Sequence, residues 1–193
     1  ADGRPLRAVG TISDIDEEKR MVEELRRRAE LDALTGLYND AEMEHRAEQY
    51  LSGRPETVCA MFIIDVDNFK LVNDRQGHLF GDAVLAELAA GMKKLTRKSD
   101  VIGRIGGDEF AMFLKDIPST QIAEQKAGKL LAMFQQLFQG EKQPVEVTCS
   151  IGLAIYPWDG TDYQTLYHCA DLALYQAKSQ GKNQYARYDV NSL

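Results

Sequence analysis

Two adjacent glycines, Gly106 and Gly107, split an apolar run that extends from residue 100 to residue 115. A diglycine between two β-prone segments is a strong signal for a β-hairpin, so the fold must contain an antiparallel pair of strands. Two acids, Asp108 and Glu109, follow the glycines directly. The bend of this hairpin therefore carries two negative charges next to two residues without side chains.

Short apolar runs and segments with helical spacing alternate on both sides of the hairpin. Further strands are predicted at 58–65, 145–156 and 184–188, and helices are predicted at 80–95, 120–138 and 161–179. This order of elements is that of an α+β fold, in which helices flank a central, mostly antiparallel sheet.

The start of the chain differs in pattern from the rest, and because it lacks Met we interpret the chain as a piece of a longer protein. Residues 1–13 are predicted to form the exit strand of an upstream domain. Residues 14–32 are predicted to form a helix with a narrow apolar stripe that includes Val22 and Ala29, typical of a two-helix coiled coil. A helix packed on its own domain stays the alternative. Residues 33–190 are predicted to form one domain.

The charge balance restricts the ligands. The chain has 193 residues with 23 Lys and Arg against 30 Asp and Glu, so its net charge is −7. A negative surface repels nucleic-acid polymers but allows a local basic pocket for a small anion. Three widely spaced cysteines favour a reducing compartment, and no apolar run is long enough to cross a bilayer. We therefore expect a cytoplasmic domain, with membrane attachment of the full-length protein left open.

Acidic residues end the first predicted strand. Asp65 and Asp67 are alternate residues, so their side chains are expected to be neighbours at its carboxyl end. Asp67 is predicted to cap the helix that begins near Phe69. If the hairpin lies beside this strand, Asp108 and Glu109 join Asp65, and acids that converge without nearby bases favour Mg²⁺. Mg²⁺ combines carboxylates with phosphate oxygens, so the implied ligand is a nucleotide, although the bend alone also fits an ordinary hairpin.

Basic and amide side chains could bind the phosphates and the base of such a nucleotide. Lys178 and Lys182 lie one turn apart at the end of the last predicted helix, and Lys70 is a third candidate for holding phosphates. The first two lysines are alternatively explained as partners of the helix dipole. Asn73 and Asp82 together offer donors and acceptors that suit the edge of a guanine base.

Five blocks of the sequence occur together in one known family. They are DALTGL at 32–37, DVDNFKLVND at 65–74, GHLFGD at 77–82, GGDEF at 106–110, and ADLALYQAK at 170–178 followed by GKN. With these blocks, residues 32–188 resemble the GGDEF-domain diguanylate cyclases, which join two GTP molecules into cyclic di-GMP and two pyrophosphates. The resemblance implies a palm-like core, similar to that of polymerase palm domains, nucleotide cyclases and ferredoxin-like folds.

The resemblance implies roles for individual residues. Mg²⁺ or Mn²⁺ would be held by Asp65, the carbonyl of Val66, Asp108 and Glu109, of which Asp108 and Glu109 would be catalytic. The residues that would bind GTP are Lys70, Asn73, His78, Asp82, Gly106, Gly107, Lys178 and Lys182. Among these, the amide, acid and histidine side chains would line the guanine pocket and the lysines would hold the phosphates.

The resemblance also implies an assembly and a regulatory site. One domain holds one GTP, so two facing domains form the active homodimer, and the helix at 14–32 sets their orientation. The exit strand at 1–13 is similar to those that follow PAS sensor domains. Arg97 and Asp100 match the RxxD motif at which cyclic di-GMP inhibits the family, with an exposed ion pair as the alternative explanation.

Two positions depart from the family pattern. Asp40 replaces the arginine that usually follows Asn39, and Lys182 replaces an arginine, which keeps the charge but loses the bidentate fork. We expect these two changes to affect the affinity for GTP more than the type of reaction. The alternative to the enzyme is a catalytically silent domain that binds GTP or cyclic di-GMP as a receptor. The intact acids Asp65, Asp108 and Glu109 favour the enzyme.

Overall fold

The computed structural model describes residues 15–53, 56–138 and 147–190. Within these ranges the chain forms five strands and six helices. The predicted exit strand at 1–13 lies outside the described residues, and so does the start of the strand predicted at 145–156. None of the described helices combines the length and the apolar character that crossing a bilayer requires.

One mixed sheet forms the centre of the domain. Its strands are β1 (Cys59–Val66), β2 (Val101–Arg104), β3 (Glu109–Leu114), β4 (Cys149–Tyr156) and β5 (Tyr185–Arg187). They lie in the order β2-β3-β1-β4-β5, with β1 antiparallel to both of its neighbours and β4 parallel to β5. The predicted α+β fold with a mostly antiparallel sheet is confirmed, and the predicted hairpin joins β2 to β3.

Helices cover both faces of the sheet. They are α1 (Ile15–Glu30), α2 (Asp40–Leu51), α3 (Phe69–Gln76), α4 (His78–Leu95), α5 (Thr120–Phe138) and α6 (Tyr163–Ser179). The bounds of α4, α5 and α6 agree with the predicted helices to within two residues. The sequence pattern does not predict α2, in which few residues are buried: Met43, Ala47 and Leu51.

The burial of β1 explains its continuous apolar sequence. All eight of its residues are buried, because alternate side chains enter two different cores. Phe62 and Ile64 pack with α4 and α5, whereas Met61 and Ile63 pack with α2 and α6. A strand covered on both faces needs apolar side chains throughout, so an acid at its end is surrounded by protein on most sides.

A glycine in β4 sets the distance between α6 and the sheet. A Cβ atom on Gly152 would lie 1.9 Å from the Ala170 carbonyl oxygen and 2.4 Å from the Leu174 amide nitrogen. Both atoms belong to the backbone of α6, so any larger residue would push the helix away. This close approach brings the last turn of α6 over the carboxyl end of β1.

The apolar stripe of α1 faces solvent where its side chains are described. Met21, Val22 and Leu25 are 62%, 60% and 60% exposed. The end of α1 is attached to the domain, since the Asn39 amide donates a hydrogen bond to the Glu30 carbonyl at 2.9 Å. The exposed stripe is compatible with the predicted coiled coil, which stays a prediction.

Candidate active site

The carboxyl end of β1 and the bend of the hairpin lie side by side. Asp65 is the register partner of Glu109 across the β1–β3 pair. The Val66 amide donates a hydrogen bond to the Asp108 carbonyl at 3.2 Å. The structure thus brings the three predicted acids to one place, because the last residues of β1 pair with the first residues of β3.

Burial and mutual repulsion act on these acids. Burial raises the pKa of Asp65, which is 8% exposed, and the charges of Asp108 and Asp67 raise it further while Lys178 opposes the shift. Burial and the charge of Asp65 likewise raise the pKa of Glu109. Negative charges confined in this way are stabilised by a nearby cation, so the cluster favours cation binding.

A basic side chain already lies among the acids. The Lys178 ammonium nitrogen is 2.8 Å from Asp65 Oδ2, in an ion pair whose side chains are 33% and 12% exposed. The expectation that the acids converge without nearby bases is therefore wrong. The reason is the packing of α6 on Gly152, which carries the last turn of the helix above the end of β1.

The acidic bend is held in place by Arg104. Its Nη2 and Nε atoms donate to the Gly107 carbonyl at 2.6 and 3.2 Å, and its Nη1 atom donates to both Asp32 carboxylate oxygens at 3.2 Å. Thr35 also donates to Asp32, from its amide at 2.8 Å and its hydroxyl at 2.6 Å. Burial acts to raise the pKa of Asp32, but the bonds from Thr35 and Arg104 lower it overall. Arg104 thus ties the bend to the segment that follows α1.

The two glycines serve the bend in different ways. A Cβ atom on Gly106 would lie 2.9 Å from Glu109 Oε2, whereas one on Gly107 would meet nothing within 4 Å. Neither glycine is among the residues with a positive φ angle. Gly106 therefore leaves room for the Glu109 side chain, and Gly107 leaves the backbone of the bend open to an approaching ligand.

A buried amide oxygen marks the junction of α3 and α4. Asn73 Oδ1 has no hydrogen-bond partner in the part of the chain that the structure describes. Buried polar atoms of this kind are rare, and because this oxygen faces Gly81 of α4, the Asn73 side chain must rotate before the oxygen can reach a ligand. The helices approach closely here because a Cβ atom on Gly81 would lie 1.9 Å from Asn73 Oδ1. The predicted pocket residues His78 and Asp82 are exposed on the first turns of α4.

Asp67 has a different role from the predicted one. It does not cap α3, whose N-cap residue is Asn68, with a left-handed backbone (φ 56°) and no side-chain cap. Asp67 is buried and accepts hydrogen bonds from Thr148 Oγ1 at 2.8 Å, Ser150 Oγ at 2.7 Å and the Asn183 amide at 3.1 Å. The predicted cap is wrong because donors from distant segments take the carboxylate. Sequence reasoning missed this network, which joins β1 to β4 and to the turn after α6.

The three predicted phosphate-binding lysines have different surroundings. Lys178 pairs with Asp65 in the last turn of α6. Lys182 follows the helix with a left-handed backbone (φ 64°), and its Nζ atom donates to Asn68 Oδ1 at 2.7 Å. Lys70 is exposed in the first turn of α3. The structure therefore brings Lys178 and Lys182 to the end of β1 and leaves Lys70 on the surface.

One protein family matches most of the chain. The profile described as "Diguanylate cyclase, GGDEF domain" matches residues 29–184. The chain belongs to the GGDEF family. Its fold is similar to that of the GGDEF domain of TpbB from Pseudomonas aeruginosa, with a TM-score of 0.77 at 35% identity over 83% of this chain and 95% of that chain.

Named relatives of this GGDEF domain differ in activity. The domain is 37% identical over 160 residues to MucR of Pseudomonas aeruginosa, a bifunctional diguanylate cyclase and cyclic di-GMP phosphodiesterase, over 82% of this chain and 23% of MucR. It is 34% identical over 173 residues to PdeR of Escherichia coli, a cyclic di-GMP phosphodiesterase, over 90% of this chain and 26% of PdeR. The chain thus spans about a quarter of the length of these curated relatives. Family membership alone does not fix the activity of this GGDEF domain.

The RxxD residues of the GGDEF domain lie at the opposite end of the β2–β3 hairpin from the acids. Asp100 accepts hydrogen bonds from the backbone amides of Arg97 at 2.9 Å and Lys115 at 3.3 Å. The exposed Arg97 side chain lines a cavity of about 290 Å³ together with Tyr38, Lys93 and Asp100. Asp100 therefore shapes the turn, while Arg97 contributes its charge to a surface cavity.

The acid cluster fits a magnesium ion whose shell a nucleotide completes. Within the described ranges, no group of three or more His, Cys, Asp or Glu side chains is arranged to hold a metal ion by itself. Mg²⁺ at nucleotide sites uses one or two carboxylates together with phosphate oxygens. Asp65 and Asp108 supply such carboxylates, with Glu109 and the Val66 carbonyl beside them. The Lys178 ammonium, 2.8 Å from Asp65 Oδ2, would compete with such an ion for this carboxylate.

Proposed function

We propose that this GGDEF domain is a diguanylate cyclase, which condenses two GTP molecules into cyclic di-GMP and two pyrophosphates as a homodimer with Mg²⁺ or Mn²⁺. The observation that carries the proposal is the pairing of Asp65 with Glu109, which puts the acidic bend beside the buried carboxylate at the end of β1. Phosphoryl transfer depends on positioning and on charge stabilisation, and this cluster provides for both.

The acids act where the two substrates meet. Asp65, Asp108, Glu109 and the Val66 carbonyl would hold the divalent cation, which would supply charge stabilisation at the α-phosphate and acidify the attacking 3′-hydroxyl. Glu109, the register partner of Asp65, is either a further metal ligand or the group that assists deprotonation of that hydroxyl. The open backbone at Gly107 allows the phosphates to approach the bend.

The helices around the acids recognise GTP. Asn73 Oδ1 accepts a hydrogen bond from the guanine amino group after its side chain rotates away from Gly81, and the lack of a protein partner for this oxygen among the described residues makes that rotation inexpensive. His78 and Asp82 contact the same base. The phosphates are bound by three lysines: Lys70, Lys178 and Lys182.

The dimer supplies the second nucleotide. Each 3′-hydroxyl attacks an α-phosphorus that the other domain holds, so catalysis needs two facing domains. The exposed Val22 and Leu25 of α1 support a coiled coil over 14–32 that sets their orientation. In this proposal residues 33–190 form the cyclase domain, which works in the cytoplasm, and residues 1–13, which lie outside the described residues, would follow a PAS sensor domain.

Product inhibition uses the RxxD turn. Cyclic di-GMP binds to the Arg97 guanidinium, which offers a bidentate contact to a phosphate or to a guanine edge. Asp100 holds the turn through the Arg97 amide. The position of this turn at the far end of the hairpin supports a regulatory site separate from the acids.

A receptor that binds GTP or cyclic di-GMP without turnover is the second candidate. The observation that favours it is the ion pair between Lys178 and Asp65, because an acid that already has a cationic partner is less free to hold a metal ion. The two candidates predict different products from the same incubation.

Turnover of GTP decides between the cyclase and the receptor. The protein, shown to be dimeric by light scattering, is incubated with GTP and Mg²⁺, and its nucleotides are separated by chromatography. We expect cyclic di-GMP from the wild type and none from Asp108→Ala. Arg97→Ala is expected to retain turnover and to lose inhibition by cyclic di-GMP. Saturable GTP binding by a dimer that forms no cyclic di-GMP would establish the receptor instead.

A further inference from the structure

The ion pair between Lys178 and Asp65 joins two residues that the proposed function gives to different ligands. Asp65 is assigned to the metal and Lys178 to a phosphate, yet the ammonium nitrogen is 2.8 Å from Asp65 Oδ2. Asp65 is buried, so water screens this attraction less than it screens a surface ion pair. Neither side chain can serve its assigned ligand fully while the pair persists.

The lysine of this ion pair is a flexible side chain on a helix whose backbone is fixed. The backbone of α6 is held against β4 by the close approach at Gly152, where a Cβ atom would lie 1.9 Å from the Ala170 carbonyl. The Lys178 side chain is 33% exposed and ends a flexible stem of four carbons. The ammonium can therefore leave Asp65 by side-chain rotation alone, without displacement of the helix.

The second lysine in this region makes a different contact. Lys182 donates from Nζ to Asn68 Oδ1 at 2.7 Å, which is an uncharged amide oxygen. Both Lys178 and Lys182 bring one positive charge to the end of β1, but Lys178 is the one whose described partner is Asp65. Lys182 is therefore a matched control for any effect of charge alone.

We propose that Lys178 is an exchangeable counter-ion that couples metal binding to nucleotide binding. It neutralises Asp65 until a triphosphate draws the ammonium away, and the released carboxylate then binds the divalent cation. This inference rests on the proposed function for the two ligand assignments. Because linkage between two sites is reciprocal, metal and nucleotide each bind weakly alone and tightly together.

The first test measures Mn²⁺ binding in the absence of nucleotide, from the loss of the electron paramagnetic resonance signal of the free ion. Lys178→Met removes the competing ammonium and is expected to tighten Mn²⁺ binding about tenfold, within the usual range of coupling between sites. Lys182→Met removes an equal charge that is not paired with Asp65. We expect it to tighten Mn²⁺ binding only about twofold, as for a screened charge.

The second test measures the reverse linkage. The affinity for a nonhydrolysable GTP analogue is determined by calorimetry in EDTA, so that divalent cations are removed. Asp65→Asn releases Lys178 for the phosphates and is expected to tighten binding of the analogue about fivefold. Glu109→Gln removes an equal negative charge from the same cluster and leaves the Lys178 pair intact, so we expect a change of less than about twofold.

Several results would overturn the exchange. They are equal effects of Lys178→Met and Lys182→Met, an unchanged Mn²⁺ affinity in Lys178→Met, or no Mn²⁺ binding by any variant. Circular dichroism melting checks that each variant folds, and Lys178→Gln replaces Lys178→Met if the latter unfolds. A wild type that makes cyclic di-GMP while Lys178→Met fails this test would refute the exchange alone. Tighter Mn²⁺ binding by Lys178→Met, with a wild-type dimer that makes no cyclic di-GMP, would refute only the proposed cyclase.

Discussion

Asp65 and Asp67 stand two residues apart at the end of β1, and their surroundings have opposite properties. Asp67 accepts hydrogen bonds from the hydroxyls of Thr148 and Ser150 and from the Asn183 amide, all held by the backbone around β4 and α6. Asp65 is paired with an ammonium at the tip of a flexible side chain. Both acids are nearly excluded from solvent, since Asp65 is 8% exposed and Asp67 is 3% exposed. Burial alone therefore does not distinguish the acid that we propose to be functional from the structural one, whereas the two differ in the rigidity of their partners.

Replacement of Asp67 tests the structural half of this comparison. Asp67→Asn puts an amide donor opposite groups that themselves donate, so we expect the free energy of unfolding to fall by about 2–3 kcal/mol. The control is Asp65→Asn, for which we expect a change of less than about 1 kcal/mol, because the lost ion pair is offset by the loss of a buried charge. Denaturant titration measures both values. A larger loss at Asp65 than at Asp67 would reverse the comparison.

Asn73 extends the comparison to an acceptor without a partner among the described residues. Gly81→Ala would put a Cβ atom 1.9 Å from Asn73 Oδ1 and so must displace that side chain. We expect the KM for GTP to rise about tenfold, which corresponds to about 1.4 kcal/mol of lost binding. The free energy of unfolding should fall by only about 1 kcal/mol, because the displaced group is a side chain rather than backbone. Steady-state kinetics give the KM, with Gly128→Ala as the control, since a Cβ atom there meets nothing within 4 Å. An unchanged KM would show that Asn73 does not contact the guanine base.

The pH dependence of stability contrasts Asp65 with Asp32. Burial raises the pKa of Asp65 above its ordinary value of 3.8, so its contribution to stability is present below that value and is lost as the pH rises through the raised pKa. At Asp32 burial acts in the same direction, but hydrogen bonds from Thr35 and Arg104 prevail and lower the pKa. Its contribution is therefore present above 3.8 and is lost as the pH falls through the lowered pKa.

Two amide variants check these signs. Asp65→Asn is expected to gain stability relative to the wild type as the pH rises, and Asp32→Asn is expected to gain relative to the wild type as the pH falls. Denaturant titrations between about pH 3 and pH 8 cover both transitions. If the stability of both variants relative to the wild type changed in the same direction with pH, the contrast would be wrong. Asp65 and Asp32 would then not differ in how well their partners stabilise the charged carboxylate.

Sequence pattern predicts the elements whose apolar spacing is local. β1 is a continuous apolar run because both of its faces are buried, and the ends of α4, α5 and α6 follow their apolar spacing. α2 is not predicted, since it buries few residues and depends on Asn39, whose side chain accepts a hydrogen bond from the Glu42 amide at 3.0 Å. Short amphipathic helices of this kind form because the sheet offers a surface, which no local pattern reveals.

The site is predictable where strand order alone brings residues together. The family blocks imply that Asp65 meets the acidic bend, and the β1–β3 register agrees. The partners of Asp67 could not be predicted, because Ser150 and Asn183 are 83 and 116 residues away in sequence. The same holds for Arg104 and Asp32, which are 72 residues apart. Such contacts form only in the packed fold. The sequence therefore identifies candidate acids, but it does not show which of them has a partner that can be exchanged.

The segment after α1 runs along the outer side of β2. The Tyr38 amide donates to the Ile102 carbonyl at 3.2 Å, and the Arg104 amide donates to the Tyr38 carbonyl at 2.8 Å. A strand whose outer backbone groups are left unpaired recruits strands from other molecules. A truncated form that starts after Tyr38 would uncover β2 and self-associate through it. We therefore expect the choice of first residue to govern whether this domain stays monodisperse in solution.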